Sequence, residues 1–144
     1  MLLKRSPEKK YAPNFIHPFG GKLDKDENPF IGAVREVKEE TGIDIKNLKL
    51  EAVVFEIKPD NTKPENWIIF YFSSDYDKGE LKKTEEGEIV FLTEEELRNA
   101  SLFPSTKKII GNILNPKDGT VFTTNTYTGF ESGLKQSSKD ICVI

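Results

Sequence analysis

The sequence predicts a mixed α/β domain, a sheet with helices packed on its faces. Stretches 50–57, 67–73, 88–92 and 121–127 are rich in Val, Ile, Phe, Tyr, Trp and Thr and read as strands. Segments with helix start or stop signals, 29–41, 94–100 and 106–114, fall among them in mixed order. No segment repeats at a fixed period, which excludes solenoids and propellers.

Residues 6–20 hold Pro7, Pro13, Pro18, Gly20 and Gly21 and read as an irregular loop. Asn28 is a good N-cap for a helix over 29–41. Pro29 fits the first helical position, where its missing N–H costs nothing, and Gly42 suits a left-handed residue past the end. Phe30, Ala33, Val34, Val37 and Thr41 fall within about 100° of arc on that helix, a stripe expected to face the core. Two strands follow, separated by a gap punctuated by Pro59, Asp60, Asn61, Pro64 and Asn66. Thr93 caps a helix whose first turn is Glu94, Glu95 and Glu96, and Ser105 is expected to cap the next. A turn at 115–119 precedes the last strand. Residues 128–144 are mostly Gly, Ser, Lys and Gln and read as a mobile tail behind a domain of 1–127.

At 144 residues the chain has room for one domain that buries roughly two-thirds of its unfolded surface. An apolar content of 36% and a mean hydropathy of −0.51 argue against a membrane span, which needs about 20 mostly apolar residues. A formal charge of −3 gives no cationic face for a nucleic-acid backbone, so a phosphate-bearing partner is expected to be a small molecule. The single cysteine, Cys142, suits a reducing compartment, and the amino terminus shows no apolar run of secretory length; a cytoplasmic location is expected.

Chemistry concentrates on the first helix. Glu36, Glu39 and Glu40 stand at i, i+3 and i+4 on a face roughly 120° from the apolar stripe, where side chains are neighbours. Taken alone, such a cluster is more often a solvated acidic face than a site. A hard divalent cation would relieve its repulsion, since Mg²⁺ prefers a few carboxylates plus waters and substrate phosphates. Upstream, Phe19-Gly20-Gly21-Lys22 lets backbone approach closely and offers a lysine to a phosphate.

Read together, Gly21, Glu27, Arg35-Glu36-Val37, Glu39-Glu40 and Gly42-Ile43 fill G-x5-E-x7-R-E-U-x-E-E-x-G-U, with U aliphatic. Residues 21–43 thus resemble the signature box of the Nudix (MutT-like) hydrolases. The resemblance implies an α/β/α sandwich with a mixed central sheet, and hydrolysis of a nucleoside diphosphate linked to another group with Mg²⁺ or Mn²⁺. By match to the box, Glu36, Glu39, Glu40 and the Gly20 carbonyl would form the metal shell, and Arg35 would orient the carboxylates by pairing with Glu27. A divalent ion can neutralise a pyrophosphate and lower the pKa of bound water, while a carboxylate takes the proton. The family draws that base from the box, here Glu36 or Glu39, or from a later loop, here Glu86; a solvated acidic turn explains Glu86 equally well.

Family members usually carry a full strand before the segment matched by Leu2-Leu3-Lys4-Arg5, so the first strand is expected to be short or missing. Its neighbour would then offer an edge to another chain, which makes a homodimer an expectation. The Phe-Gly-Gly-Lys entry resembles the branch acting on oxidised purine nucleoside triphosphates, with His17 facing the base, Phe19 and Lys22 beside the substrate and Trp67 available to stack. A loop histidine and a strand-core tryptophan are the plainer readings of two of these. Where that branch often has acidic base-reading residues, Phe103-Pro104-Ser105-Thr106 offers hydroxyls. Pro59, sixteen residues beyond Ile43, is similar to a proline found in ADP-ribose hydrolases, and a hairpin explains it as well. The expected activity is thus pyrophosphohydrolysis of a nucleoside triphosphate or a modified one. The alternatives are ADP-ribose or dinucleoside polyphosphate hydrolysis, and a non-catalytic nucleotide-binding module; action on capped RNA ends is disfavoured by the net acidity.

Overall fold

The computed structural model describes residues 1–59, 65–115 and 119–127, and the backbone of 136–143. Ten elements follow in order. These are β1 (Leu2–Arg5), β2 (Ile16–His17), α1 (Pro29–Thr41), β3 (Asp44–Ile57), β4 (Trp67–Lys78), β5 (Gly87–Val90), α2 (Glu94–Asn99), α3 (Pro104–Leu114), β6 (Val121–Tyr127) and β7 (Gln136–Val143). The mixed α/β class is as the sequence predicts. The chain divides into two compact units, Met1–Leu48 with Ser74–Thr106, and Lys49–Ser73 with Lys107–Ile144.

The first unit holds a three-stranded sheet of order β2-β1-β5, antiparallel throughout. β1 is short, as expected, but it is no edge: its four residues pair with β5 on one side and β2 on the other. β2 lies inside the segment read as an irregular loop. Ile16 is buried there, its N–H donating to the Ser101 carbonyl and its own carbonyl accepting from Phe103, so tertiary partners make a strand of two residues that carry no local pattern. Leu3, Ile16, Ile43, Leu97, Leu102 and Phe103 are all buried. Phe103 meets Tyr11 and Phe15 with ring centroids 5.9 and 6.3 Å apart, within the range of favourable aromatic pairs.

Helix α1 forms where its caps place it. The Asn28 side chain accepts from the N–H groups of Phe30 (3.0 Å) and Ile31 (3.1 Å). Gly42 adopts φ 81° and donates to the Lys38 carbonyl. A Cβ at Gly42 would lie 2.7 Å from the Glu80 carbonyl oxygen, so both conformation and space call for glycine. The expected apolar stripe holds only in part. Thr41 is fully buried and Ala33 and Val37 are half-buried, but Phe30 and Val34 are 49% and 41% exposed. Helical period tells which residues share a face, not what covers them. The early turns are instead covered at Gly32, where a Cβ would meet Leu23 and Glu27 of the preceding loop.

The second unit contains strands of a sheet ordered β4-β3-β6-β7, in which β3 and β6 run parallel and β6 and β7 antiparallel. Alternation along β3 and β6 buries Ala52, Val54 and Glu56 against Val121, Thr123, Asn125 and Tyr127. Ala52, Val54, Tyr71, Ile109 of α3 and Val121 make the apolar core, and Tyr127 donates to the buried Glu56 carboxylate at 2.9 Å.

Other expectations change at the element ends. The strands of 50–57 and 67–73 extend to β3 and β4, because hydrogen bonds between polar side chains, Asn47 to Asp75 and Lys46 to Asp77, tie segments that hydrophobic patterning does not reach. Ser105 does not cap α3. Pro104 takes the first helical position and Ser105 lies fully buried behind it. β7 stands where composition predicts a mobile tail, its backbone paired with β6 from Val121↔Val143 to Tyr127↔Gln136. Residues 60–64, within the expected β3–β4 gap, 116–118 of the expected turn, and 128–135 and 144 of the expected tail lie outside the described residues.

Candidate active site

Three acids of the first unit gather around one guanidinium. Arg35 holds Glu27 in a two-pronged pair, Nε to Oε1 and Nη2 to Oε2, both at 2.8 Å. Its Nη1 donates to Glu36 Oε1 at 2.9 Å and Glu39 Oε2 at 3.1 Å, and its Nη2 also reaches the Lys22 carbonyl at 3.1 Å. Only a planar fork of five donors can serve three carboxylates and a carbonyl at once. Glu27 is the most enclosed of the acids paired with Arg35, at 8% side-chain exposure, and its hydrogen bonds from Arg35 lower its pKa below the usual carboxylate value. The same bonds raise the pKa of Arg35, so the cation is permanent.

Glu40 is placed differently. It accepts the Gly20 N–H at 3.3 Å, and among the described residues it has no ion pair. Burial pushes its pKa up to about 7; the Gly20 hydrogen bond opposes this, the charges of Glu36 and Glu86 add to it, and Arg5 offsets part of it. The Gly20-Gly21 turn brings the two acids to one loop. A Cβ at Gly21 would collide with the Glu36 carboxylate, so the missing side chain is the space that Glu36 fills.

Glu86 lies on the loop entering β5. Its N–H donates to Thr84 Oγ1 at 3.2 Å and its carboxylate pairs with Lys9 at 2.6 Å. His17, on β2, has Nδ1 2.6 Å from the Pro18 carbonyl, a contact that puts the proton on Nδ1 and leaves Nε2 an acceptor. That Nε2 is buried and meets no donor among the described residues. Burial lowers the His17 pKa, keeping the ring neutral, although the Pro18 bond and Glu86 act the other way.

Arg35 binds Glu27 and also Glu36 and Glu39, and the Gly20–Glu40 contact joins the loop to the helix. Gly20 contributes its N–H to that contact. Among the described residues no three His, Cys, Asp or Glu side chains converge as a metal cage, since Arg35 draws two acids to itself and Gly20 holds the third. The donor set of carboxylates and peptide carbonyls still matches a hard divalent ion, and Glu40 is a half-buried acid that forms no ion pair among the described residues. Phe19 is half-buried and Lys22 exposed, both in the loop before α1. Trp67 begins β4 in the second unit. Arg5 and Lys9 were not singled out in the sequence. The pairing of β1 between β2 and β5 brings the charge of Arg5 to bear on His17 and Glu40.

The model of the NUDIX domain matches residues 1–112, more than half the chain. The chain belongs to the Nudix family. This Nudix chain is 31% identical over 130 residues to the Uncharacterized Nudix hydrolase YvcI of Bacillus subtilis (strain 168), covering 89% of this chain and 79% of that protein. Its fold resembles the crystal structure of the mutator MutT protein from Bacillus halodurans, with a TM-score of 0.77 and 25% identity over 95% of this chain and 87% of the other. Membership in this hydrolase family fits the position of the box, with every matched residue in one unit on α1 or its flanking loops.

Proposed function

We propose that this Nudix protein hydrolyses the diphosphate linkage of a nucleoside triphosphate or modified nucleoside triphosphate, releasing a monophosphate. The observation that carries the reading is the division of the acids on α1: Arg35 fixes Glu36 and Glu39, while Glu40 is held beside Gly20 with its charge unopposed by any ion pair among the described residues. Glu36, Glu39, Glu40 and the Gly20 carbonyl would hold Mg²⁺ or Mn²⁺. Such an ion supplies charge neutralisation at the diphosphate and acidifies bound water.

The chain's own residues do the rest. Arg35 sets the direction of Glu36 and Glu39 without contacting substrate, and the Lys22 ammonium meets a phosphate. Phe19 offers a ring face to a base, and His17, neutral and protonated at Nδ1, lies two residues before it on β2 with its Nε2 buried. A carboxylate takes the proton from the attacking water, either Glu86 on its loop or Glu36 or Glu39 on the helix. The protein works as a cytoplasmic enzyme on a small nucleotide-derived substrate, without nucleic-acid or membrane partners, and a second copy of the chain is its expected protein partner. Among the described residues no helix is long and apolar enough to cross a membrane.

The test is a panel of nucleoside triphosphates, oxidised nucleotides, ADP-ribose, dinucleoside polyphosphates and nucleotide sugars with Mg²⁺, read as monophosphate release. Turnover greatest on a nucleoside triphosphate is expected; tight binding with no hydrolysis of any member contradicts it and returns the chain to a binding module. On the best substrate, Glu86→Gln lowers turnover by about 100-fold or more if the loop supplies the base, and leaves it nearly unchanged if the helix does.

A further inference from the structure

Among the described residues, the three-stranded sheet of the first unit ends in a strand with an open side. β5 is terminal in the order β2-β1-β5. Arg5 of β1 directs both backbone groups toward the β2 side, its N–H to the Phe15 carbonyl and its carbonyl to the Asn14 N–H. Alternation then turns Leu2 and Lys4 toward β5, opposite Val90 and Glu88, and Ser6 donates to the Glu86 carbonyl in the same sense. Glu86, Glu88 and Val90 therefore face β1, and Gly87 and Ile89 turn their N–H and carbonyl groups outward. Unpaired edges of this kind are templates for another strand.

The open side is also a groove. Leu81, Lys82, Lys83 and Thr84 line it together with Gly87, Glu88, Ile89 and Phe91, around a volume of about 400 Å³. Leu81 is 46% exposed and Phe91 66%, and among the described residues neither lysine ammonium has an ion pair. The chemistry asked of an occupant is an extended strand with an acid for the lysines and apolar side chains for Leu81 and Phe91. β5 itself, Gly87-Glu88-Ile89-Val90 leading to Phe91, has that composition.

We propose that the β5 edge binds the β5 edge of a second copy, antiparallel about a two-fold axis through Ile89, joining two three-stranded sheets into one of six. In this register Ile89 exchanges both backbone hydrogen bonds with the partner's Ile89, and Gly87 pairs with the partner's Phe91. A two-fold axis at Glu88 would instead set two like charges face to face, which is unfavourable in a sheet. Gly87 carries no side chain, since a Cβ there would collide with the Lys4 carbonyl, so the partner's phenyl ring lies flat over bare backbone. Glu88 of each copy enters the groove that holds the other's Lys82 and Lys83. Such an isologous contact closes at two copies. Association of two copies follows mass action and is concentration-dependent.

Sedimentation equilibrium of the full chain between about 1 μM and 1 mM, compared with two variants, decides the matter. Ile89→Pro removes an N–H that faces the open edge and leaves the β1 ladder at Glu88 and Val90 intact. Phe91→Lys changes a side chain already in solvent and serves should the proline variant fail to fold. The expected result is a twofold rise in mass for the native chain across the range, with the dissociation constant raised at least about tenfold in each folded variant. A native chain that stays monomeric throughout, or folded variants that dimerise like it, overturns the proposal. The readout is mass, so a failed hydrolysis assay bears only on the enzymatic reading.

Discussion

The two sides of the acidic patch on α1 differ in how their charge is met. On one side Arg35 gathers Glu27, Glu36 and Glu39, and the pKa of Glu27 falls. On the other, burial raises the pKa of Glu40 to about 7, with the Gly20 N–H and the charge of Arg5 opposing the rise and Glu36 and Glu86 adding to it. Both sides belong to one motif and lie within two helical turns, so proximity in sequence does not set the difference. The half whose acids are ion-paired is a rigid frame, and the half whose acid has no ion pair among the described residues is where an external cation gains most.

The frame can be broken by Arg35→Met, which keeps the length of the stem and removes the fork. Glu27, Glu36 and Glu39 then repel one another with nothing to orient them. Turnover is expected to fall by about 100-fold, the scale on which small misplacements act, and the melting temperature to drop as well. Unchanged turnover in steady-state assays would mean that the fork does not position the acids.

On the other side, Glu40→Gln keeps shape and helix propensity and removes the unopposed charge. The loss in turnover is at least about tenfold, ~1.4 kcal/mol of barrier. Metal-free folding should not suffer, and above neutral pH the variant should melt at or above the native temperature, because it has no half-buried charge to accommodate. A variant that is both fully active and less stable would place Glu40 in the frame instead.

The smallest effect sharpens the contrast through pH. Glu40 has a folded pKa of about 7, above its unfolded value of 4.5, so its contribution to stability is fully present below 4.5 and is lost as pH rises toward 7. Glu27 has the opposite sign: its contribution is present above 4.5 and is lost as pH falls through its lowered folded value. Melting curves in chelator should therefore show Glu40→Gln gaining on the native chain as pH rises from 5 to 8, and Glu27→Gln losing least, relative to it, at the acid end. Parallel curves for all three proteins would remove the electrostatic distinction between the two sides.

Much of this arrangement is legible in the sequence because it is local. Asn28, Pro29 and Gly42 mark the ends of α1 by their own chemistry, and the spacing of Glu36, Glu39 and Glu40 follows from helical pitch. The sharing of Arg35 among three acids is less legible, since it depends on the path by which the 22–27 loop returns Glu27 and the Lys22 carbonyl to the helix. Long-range pairing is where sequence fails. β2 exists because Ile16 bonds Ser101 and Phe103, β7 because β6 offers an edge, and the exposure of Phe30 and Val34 reflects what lies over them. None of these leaves a periodic trace, whereas the alternation of β6 and the Thr93–Glu96 capping box do.

The central claim is that Glu40 of α1 serves a divalent ion in hydrolysis of a nucleoside diphosphate linkage. Its most direct test is monophosphate release from the best nucleoside triphosphate by the native chain, measured in Mg²⁺ and in excess chelator, with the melting temperature followed in both. The account predicts turnover only with Mg²⁺, together with a rise in melting temperature on adding the ion that Glu40→Gln diminishes. Hydrolysis that continues unchanged in chelator, with no effect of Mg²⁺ on melting, would contradict it.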